Sequence, residues 1–327
     1  MDRRQFASMM LATASCPHWA RADPNLAWYD EDWADTRRQR VLPVRVRWPA
    51  GDGPCALVFF SHGLGGSRTG GGLWGEAWRA AGLAVVHLQH PGSDAGVLRA
   101  GLAGLRRAAS AEQYLARVQD ARFAFDEIER RRERGGAWRR VRLDAVGFSG
   151  HSFGARLTQA LAGEAVPGAP AGGSALLRDN RLRAFIAFSP GFGANEGSSD
   201  TQVGARFGAI ERPFLCVTGT LDEAMVVGDA TNATRRAAYH GLPAGHKAQL
   251  VLEGADHMTF AGQQLPPLRA ALLKREPVAE ARQPAHHALV AGVTTDWWLS
   301  ALNGDAAARA RLAAPSRLGA GDLWQQG

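Results

Sequence analysis

The chain has 327 residues, of which 46% are hydrophobic and 21% are charged. This composition is typical of a folded protein with a full core, and it excludes a disordered chain, a coiled coil and a fibrous protein. No apolar run approaches the roughly 18 residues that a membrane-spanning helix needs, so the sequence predicts no such helix.

The net charge of +7 and the pI of about 10.1 raise the question of a nucleic-acid partner. Much of the charge is concentrated at residues 130–142, where seven arginines accompany one glutamate. A basic stretch this short indicates the solvated end of a helix rather than a groove for a phosphate backbone. We therefore predict no nucleic-acid partner, and contact of this stretch with an anionic surface remains the alternative.

The first 22 residues predict an export signal of the twin-arginine type. An arginine pair is followed by a short apolar run and then by an A-x-A cleavage pattern, which is the order that such a signal needs. These features are Arg3-Arg4, Ala7–Ala14 and Ala20-Arg21-Ala22. The prediction is a bacterial periplasmic or secreted protein that begins at Asp23 after cleavage. A frayed cytoplasmic N-terminus and lipidation at Cys16 remain alternatives.

The chain that begins at residue 23 would keep two cysteines, Cys55 and Cys216. An oxidising periplasm would allow them to pair. Both lie in apolar, strand-like runs, and this favours buried free thiols over a disulfide.

From residue 41 onward, short apolar runs alternate with helical patterns. Nearly continuous apolar runs are typical of parallel strands that helices cover on both faces. The predicted strands are Val41–Trp48, Leu57–Phe60, Leu83–Leu88, Leu143–Phe148, Leu182–Phe188, Phe214–Thr218 and Ala248–Leu252. The predicted helices are Leu73–Ala81, Glu112–Arg134, Phe153–Gly163 and Pro284–Leu302. The alternation predicts an α/β fold, with a doubly wound and mostly parallel sheet in one domain over residues 23–327.

Two stretches carry further predictions, the helix at Glu112–Arg134 and the segment between Phe188 and Phe214. In the helix Glu112–Arg134, five apolar residues are expected to share the stripe that faces the sheet. They are Leu115, Val118, Ala121, Phe125 and Ile128. The segment between Phe188 and Phe214 is glycine-rich, so we expect a loop there, no helical lid and an open site.

The sharpest chemical signal is the pentapeptide Gly150-His151-Ser152-Phe153-Gly154, which has the pattern G-x-S-x-G. It follows a predicted strand directly and opens a predicted helix, and this is the context in which the pattern marks a nucleophilic serine. Glycines allow the tight turn, and the helix N-terminus favours developing negative charge. The alternative is an ordinary glycine-rich turn with a capping serine. We predict Ser152 as the nucleophile.

A serine hydroxyl needs a base to take its proton, and the base needs a carboxylate to orient it. Downstream, Asp222 follows the predicted strand at Phe214, and His257 follows the predicted strand at Ala248. Both therefore fall on loops at the carboxyl edge of the sheet, together with Ser152. The sequence predicts His257 as the base and Asp222 as its carboxylate partner.

Other side chains compete for these roles. Glu223 and Asp256 are the rival carboxylates, and His286 and His287 are rivals for the base. The two histidines follow no predicted strand, and Asp256 adjoins His257 too closely in sequence for a good orienting bond.

An acyl transfer also needs two backbone N–H groups aimed at the developing oxyanion. Phe153, directly after the nucleophile, is predicted to supply one of them. The glycine-rich loop after the strand at Leu57 would supply the other, from Leu64. His62 in that loop and His151 beside the nucleophile are the candidate substrate-binding residues.

Four segments carry a resemblance to a known family. They are Ser61–Gly66, His90–Asp94, Gly150–Gly154 and Gly254–Met258. In collinear order, within about Val41 to Leu302, they resemble the α/β hydrolases known as predicted dienelactone hydrolases. These are relatives of platelet-activating-factor acetylhydrolase and, more distantly, of bacterial polyester hydrolases. The resemblance implies the α/β-hydrolase fold, the triad Ser152, Asp222 and His257, and an oxyanion hole at Leu64 and Phe153.

Two positions depart from the patterns of these relatives. Dienelactone hydrolases use a cysteine nucleophile where this chain has Ser152. Polyester hydrolases tend to carry tryptophan and methionine beside the nucleophile, whereas this chain has His151 and Phe153. Neither the dienelactone reaction nor plastic degradation is therefore implied.

The expectation is an exported serine hydrolase of short-chain or polymeric carboxylic esters. The motifs HExxH and CxxC do not occur, and we predict no metal and no organic cofactor. The alternatives are an amidase or thioesterase with the same triad, and a non-catalytic binding protein on the same fold.

Overall fold

The computed structural model describes residues 28–165, 177–191, 199–224, 230–263 and 275–327. The predicted export signal at residues 1–22, with Cys16, lies outside the described residues. Among the described residues, no helix is both long and apolar enough to span a membrane.

Nine strands form one sheet in the order β1-β2-β4-β3-β5-β6-β7-β8-β9. The strands are β1 (Tyr29–Asp35), β2 (Arg40–Arg47), β3 (Cys55–Ser61), β4 (Ala84–Leu88), β5 (Val141–His151), β6 (Ala184–Phe188), β7 (Phe214–Leu221), β8 (Lys247–Asp256) and β9 (Leu323–Gln326). β3 to β8 pair in parallel, whereas β1, β2 and β9 pair antiparallel at the two edges. All seven predicted strands are confirmed, and β1 and β9 are additional.

Helices cover both faces of this sheet. They are α1 (Gly72–Ala80), α2 (Gly101–Ala108), α3 (Ala111–Arg134), α4 (Phe153–Ala162), α5 (Asp200–Phe207), α6 (Asn232–Gly241), α7 (Pro277–Asn303) and α8 (Ala306–Ala313). Side chains alternate between the faces along each strand. Leu57 and Phe59 therefore join the core under α3 to α6, and Val58 and Phe60 join the core under α1 and α7. The doubly wound α/β prediction is confirmed.

The predicted stripe of α3 is wrong at its first position. Leu115 is 48% exposed, whereas Val118 and Ile128 are buried. In the first half of the helix, the polar residues Arg117 and Asp120 take the buried face, because they serve a hydrogen-bonded cluster described below. The helix ends at Gly135 as predicted, at a positive φ of 102°.

The connection between β6 and β7 is not only a loop. It contains α5, eight residues long, whose Phe207 is fully buried against the sheet. Residues 192–198 lie outside the described residues. Among the described residues, this connection carries no large lid.

The arginine-rich stretch at residues 130–142 is more than a solvated helix end. Arg131 is 8% exposed and lies 4.8 Å from the Trp33 ring and 5.5 Å from the Trp138 ring. Its guanidinium also pairs with Glu31 at 2.9 Å and with Glu127 at 2.8 Å. Arg131 thus connects the end of α3 to β1.

The prediction of free cysteines is confirmed, since Cys55 and Cys216 are both buried and unbridged.

Candidate active site

Ser152 lies at the sharp turn between β5 and α4. Its backbone has φ 56° and ψ −111°, a left-handed conformation that is strained for a residue with a side chain. A methyl group on Gly154 would lie 2.1 Å from the Ser61 carbonyl oxygen, and one on Gly150 would lie 2.4 Å from Gly154. Only glycine fits at these two positions. The turn therefore holds the Ser152 hydroxyl above the carboxyl edge of the sheet.

Two further side chains reach Ser152 from the ends of neighbouring strands. His257 directly follows β8, and its Nε2 lies 3.0 Å from Ser152 Oγ. Asp222 directly follows β7, and its Oδ1 lies 2.8 Å from His257 Nδ1. The structure thus brings the three residues predicted as a triad into one chain of hydrogen bonds, in the order that proton transfer from the serine requires.

Asp222 is fully buried but remains a strong acid. Burial alone would raise its pKa, whereas the charge of Arg235 and then that of His257 lower the pKa to about 2. The Arg235 Nε lies 2.7 Å from Asp222 Oδ1, and the Thr218 hydroxyl donates to Asp222 Oδ2 at 2.8 Å. The carboxylate is therefore ionised at neutral pH and can orient the His257 imidazole. Arg235 did not figure in the sequence prediction.

The rival residues lie elsewhere. Asp256 is bound by Arg275 at 2.7 Å and accepts the N–H of Thr259, so it closes a turn. His287 Nε2 lies 3.1 Å from the Thr259 carbonyl oxygen, and His286 is buried on α7. Glu223 is exposed to solvent. Among the described contacts, none of these four residues bonds to Ser152 or His257.

The predicted oxyanion loop lies against the nucleophile. A methyl group on Gly63 would lie 3.3 Å from Ser152 Cβ. In this loop the N–H of Gly65 donates to Ser93 at 2.9 Å, and that of Gly66 donates to Gly63 at 3.1 Å. Among the described contacts, the N–H of Leu64 has no such acceptor. Phe153 opens α4, where backbone N–H groups are unpaired by geometry.

The two histidines predicted to bind substrate are both buried. His151 is 6% exposed, and its Nε2 lies 3.0 Å from the His257 carbonyl oxygen, with the two rings 4.6 Å apart. His62 is 1% exposed, and its Nε2 accepts the N–H of His90. Burial lowers the pKa of both far below the usual value, so both are neutral at pH 7. Both side chains are therefore packed inside the protein beside the triad and are not exposed at its surface.

Behind the oxyanion loop lies a fully buried arginine, Arg117. Its guanidinium donates to the His62 carbonyl oxygen at 2.6 Å and to the Ser93 hydroxyl at 2.8 Å. It also lies 4.6 Å from the ring of Phe153. Arg117 thus connects the oxyanion loop, the turn after β4 and the start of α4. The sequence did not predict this role for Arg117, because an arginine on a long, charged helix is expected to face solvent.

A second serine–histidine–aspartate array lies beside Arg117. Ser61 Oγ lies 3.0 Å from His90 Nε2, and His90 Nδ1 lies 3.0 Å from Asp120 Oδ2. All three side chains are fully buried. Burial and the charge of Arg117 lower the pKa of His90 to about 4, although Asp120 acts in the opposite direction. This buried array is a polar part of the core.

Metal-ligating residues do not gather in the described parts of the chain. No group of three His, Cys, Asp or Glu side chains there is arranged to hold a metal ion.

The fold, but not the sequence, is similar to known proteins. No family model and no curated protein sequence matches the chain. The crystal structure of 2,6-dihydroxy-pseudo-oxynicotine hydrolase aligns with a TM-score of 0.51 at 16% identity, over 84% of this chain and 68% of that one. A dienelactone hydrolase from Anabaena variabilis aligns with a TM-score of 0.50 at 16% identity, over 85% of this chain and all of that one. These likenesses and the sheet order show that the chain has the α/β-hydrolase fold.

Proposed function

We propose that this protein is a serine hydrolase that cleaves carboxylic esters through an acyl-enzyme. The observation that carries the proposal is the unbroken hydrogen-bond chain from Ser152 through His257 to Asp222, at the edge where α/β folds bind ligands. Both aligned structures are named as hydrolases, and this supports a hydrolytic reaction. Carboxylic ester as the substrate class is part of the proposal.

The geometry suggests how the first half of the reaction would run. His257 Nε2 takes the proton of Ser152 Oγ as the oxygen attacks the ester carbonyl carbon. The charge on the carbonyl oxygen would be met by the N–H groups of Leu64 and Phe153. Asp222 stabilises the imidazolium that forms. His257 then gives its proton to the leaving alcohol, and the acyl group stays on Ser152.

The second half repeats the same steps with water. Water enters where the alcohol left, and His257 takes one of its protons as the oxygen attacks the acyl carbon. The tetrahedral intermediate collapses, the proton returns to Ser152 Oγ and the carboxylic acid leaves. In this scheme, Ser152 and His257 exchange protons with the reacting groups. Asp222 and the two N–H donors stay in place.

The short connection between β6 and β7 bears on the size of the substrate. With only the eight-residue α5 described there, the described residues leave the edge beside Ser152 without a covering domain. An open edge suits short-chain or polymeric esters better than long-chain lipids. We propose these as the preferred substrates.

The site of action is a proposal from the sequence. The arginine pair at Arg3-Arg4 and the A-x-A pattern at Ala20–Ala22 support export of the chain to the periplasm or beyond. The test is the N-terminus of the protein recovered from a periplasmic fraction. A mature chain that begins at Asp23 supports the proposal, and an intact Met1 in a cytoplasmic fraction contradicts it.

Covalent labelling by a fluorophosphonate tests the activated serine without knowledge of the substrate. We expect one label per chain, on Ser152, and none in Ser152→Ala. Ser61→Ala is the matched control, because Ser61 also bonds to the Nε2 of a histidine, His90, but is buried, and it should label as the wild type does. Labelling that survives in folded Ser152→Ala would contradict the assignment.

A substrate panel then separates the enzyme classes. We expect turnover of p-nitrophenyl esters that falls as the acyl chain lengthens, with much slower turnover of matched anilides and thioesters. Anilide or thioester turnover above that of the ester would identify an amidase or a thioesterase instead. A protein that neither labels nor turns over any of them is a binding protein on this fold.

A further inference from the structure

Arg235 occupies a position that a serine–histidine–aspartate triad does not require. It projects from the first turn of α6, which a Thr231 capping box fixes, and it is 4% exposed. Its Nη1 donates to the carbonyl oxygens of Ser189 and Pro190, each at 3.1 Å, just after β6. Its Nε donates to the Asp222 carbonyl oxygen at 2.9 Å. The guanidinium therefore joins the loops that follow β6 and β7.

The same guanidinium contacts both charged members of the triad. Its Nε lies 2.7 Å from Asp222 Oδ1, the oxygen that also meets His257 Nδ1 at 2.8 Å. Its Nη2 lies 3.2 Å from that same His257 Nδ1. The Asp222 carboxylate therefore interacts with both the permanent positive charge of Arg235 and the imidazole of His257. A proton added to the imidazole would place a second positive charge beside the guanidinium, in a site with little water.

The other groups that face this pair are neutral or already paired, apart from the solvent-exposed Glu223. They are the Ser152 hydroxyl, His151 on β5, Thr218 on β7 and the ion pair of Asp256 with Arg275. Burial keeps His151 uncharged because it lowers its pKa far below the usual value. Arg235 is therefore the group whose charge acts most directly on the pair.

We infer that Arg235 is a positioning residue that aligns the Asp222 and His257 loops, so that the carboxylate meets the imidazole. This inference rests on the proposed function, because it assigns Arg235 a task within the same triad. It adds a fourth member, which holds the catalytic groups in place and does not itself touch the substrate.

The test is the separate measurement of kcat and KM for a short p-nitrophenyl ester. Arg235→Met removes the guanidinium that joins the loops, so kcat should fall by about 10- to 100-fold while KM stays within about twofold, because the loss falls on the alignment of the base. Arg235→Lys keeps the charge but lacks the fork, so it should recover only part of kcat. Thr218→Val is the matched control. It removes a neutral bond to the same carboxylate and should lower kcat by less than about threefold.

Folding is checked by circular dichroism. If Arg235→Met does not fold, Arg235→Gln serves as the neutral variant, since its amide can still donate to the carbonyl groups after β6. A kcat within about twofold of the wild type in either folded neutral variant would overturn the inference. Loss of turnover in Ser152→Ala in the same assay would keep the proposed function intact, so the two failures are distinguishable.

Discussion

The molecule contains two serine–histidine–aspartate arrays with nearly the same hydrogen-bond lengths. In the edge array, Ser152 and His257 are 3.0 Å apart and His257 and Asp222 are 2.8 Å apart. In the buried array, made of Ser61, His90 and Asp120, both distances are 3.0 Å. Each aspartate also meets at least one arginine. Hydrogen bonding alone does not distinguish a reactive serine from a structural one.

The arrays differ in what surrounds the serine. Ser61 ends a regular strand and is fully buried, whereas Ser152 sits at a positive φ at the head of a helix and is partly exposed. The N–H groups proposed for the oxyanion hole lie beside Ser152. The edge array is therefore the candidate for catalysis because of the strained turn, the exposure of Ser152 and the N–H groups proposed for the oxyanion hole. This comparison can be tested by substitutions in both arrays, beginning with those of the largest expected effect.

The largest difference should come from replacing each histidine. His257→Asn is expected to lower kcat/KM by at least about 1,000-fold, because the proposed base is lost. His90→Asn should keep kcat/KM within about tenfold, but it should lower the free energy of unfolding by about 2 to 4 kcal/mol, because it leaves buried partners unpaired. Ester kinetics and urea unfolding of both variants give the answer. The reverse pattern would show that the buried array is the reactive one.

The arginine beside the buried array offers the next test. Arg117→Met should lower kcat by about 10- to 100-fold with little change in KM, because the loop that bears Leu64 loses its anchor while its N–H group remains. Arg130→Met is the control, since Arg130 lies near the far end of the same helix, is 43% exposed and pairs with Glu127 of that helix. A kcat equal to that of the wild type in folded Arg117→Met would mean that Arg117 does not support the oxyanion loop during catalysis.

The buried histidines should make the fold sensitive to acid. The pKa of His87 is lowered to about 3 and that of His90 to about 4, in each case mainly by burial, and an arginine adds to the effect. The unfolded chain takes up these protons below about pH 6.5 and the folded chain does not. Stability is therefore complete above that pH and falls by about 1.4 kcal/mol per histidine for each pH unit below it.

Urea unfolding at a series of pH values from 7.5 to 5 measures this slope. His87→Gln should reduce it, and His246→Gln should not, because His246 is exposed. A free energy of unfolding that stays level over this range would mean that these histidines are protonated in the folded state.

The smallest effect is expected at Ser61. Ser61→Ala removes the hydroxyl that bonds to His90 at 3.0 Å and accepts from Arg117 at 3.5 Å, and it should lower the free energy of unfolding by about 1 kcal/mol. It should leave kcat/KM within about twofold. A larger loss of activity would mean that the buried array contributes to the rate.

The regular core of the molecule was predictable from sequence because its strands are continuous apolar runs. β3, β4 and β6 are buried at every position, so their composition alone identifies them. The edge strand β1 was missed because its alternating polar residues, such as Asp30 and Asp32, resemble those of a loop. The short helices α2, α5, α6 and α8 were not predicted, because each has only eight to ten residues and shows too few turns of a helical pattern.

The candidate site was predictable where a residue follows a strand end. Ser152, Asp222 and His257 all do, and the fold brings such ends together at one edge. Arg117 and Arg235 lie on helices, far from any motif, and only the coordinates show that they are buried. His62 and His151 are predicted to bind substrate because they adjoin the oxyanion loop and the nucleophile in the sequence. The direction of a side chain, in contrast, depends on packing that the sequence pattern does not record.

The close packing of Gly154 against the Ser61 carbonyl oxygen has a consequence for laboratory evolution. A methyl group at position 154 would force β3 and α4 apart, so libraries at the turn would consist mostly of misfolded proteins. In the segment from Leu98 to Leu105, the side chains of Leu98 and Leu105 lie against Gly65 of the loop, and Leu98 and Leu102 are exposed. Diversity introduced there would vary the surroundings of the site while the scaffold that holds Ser152 stays unchanged.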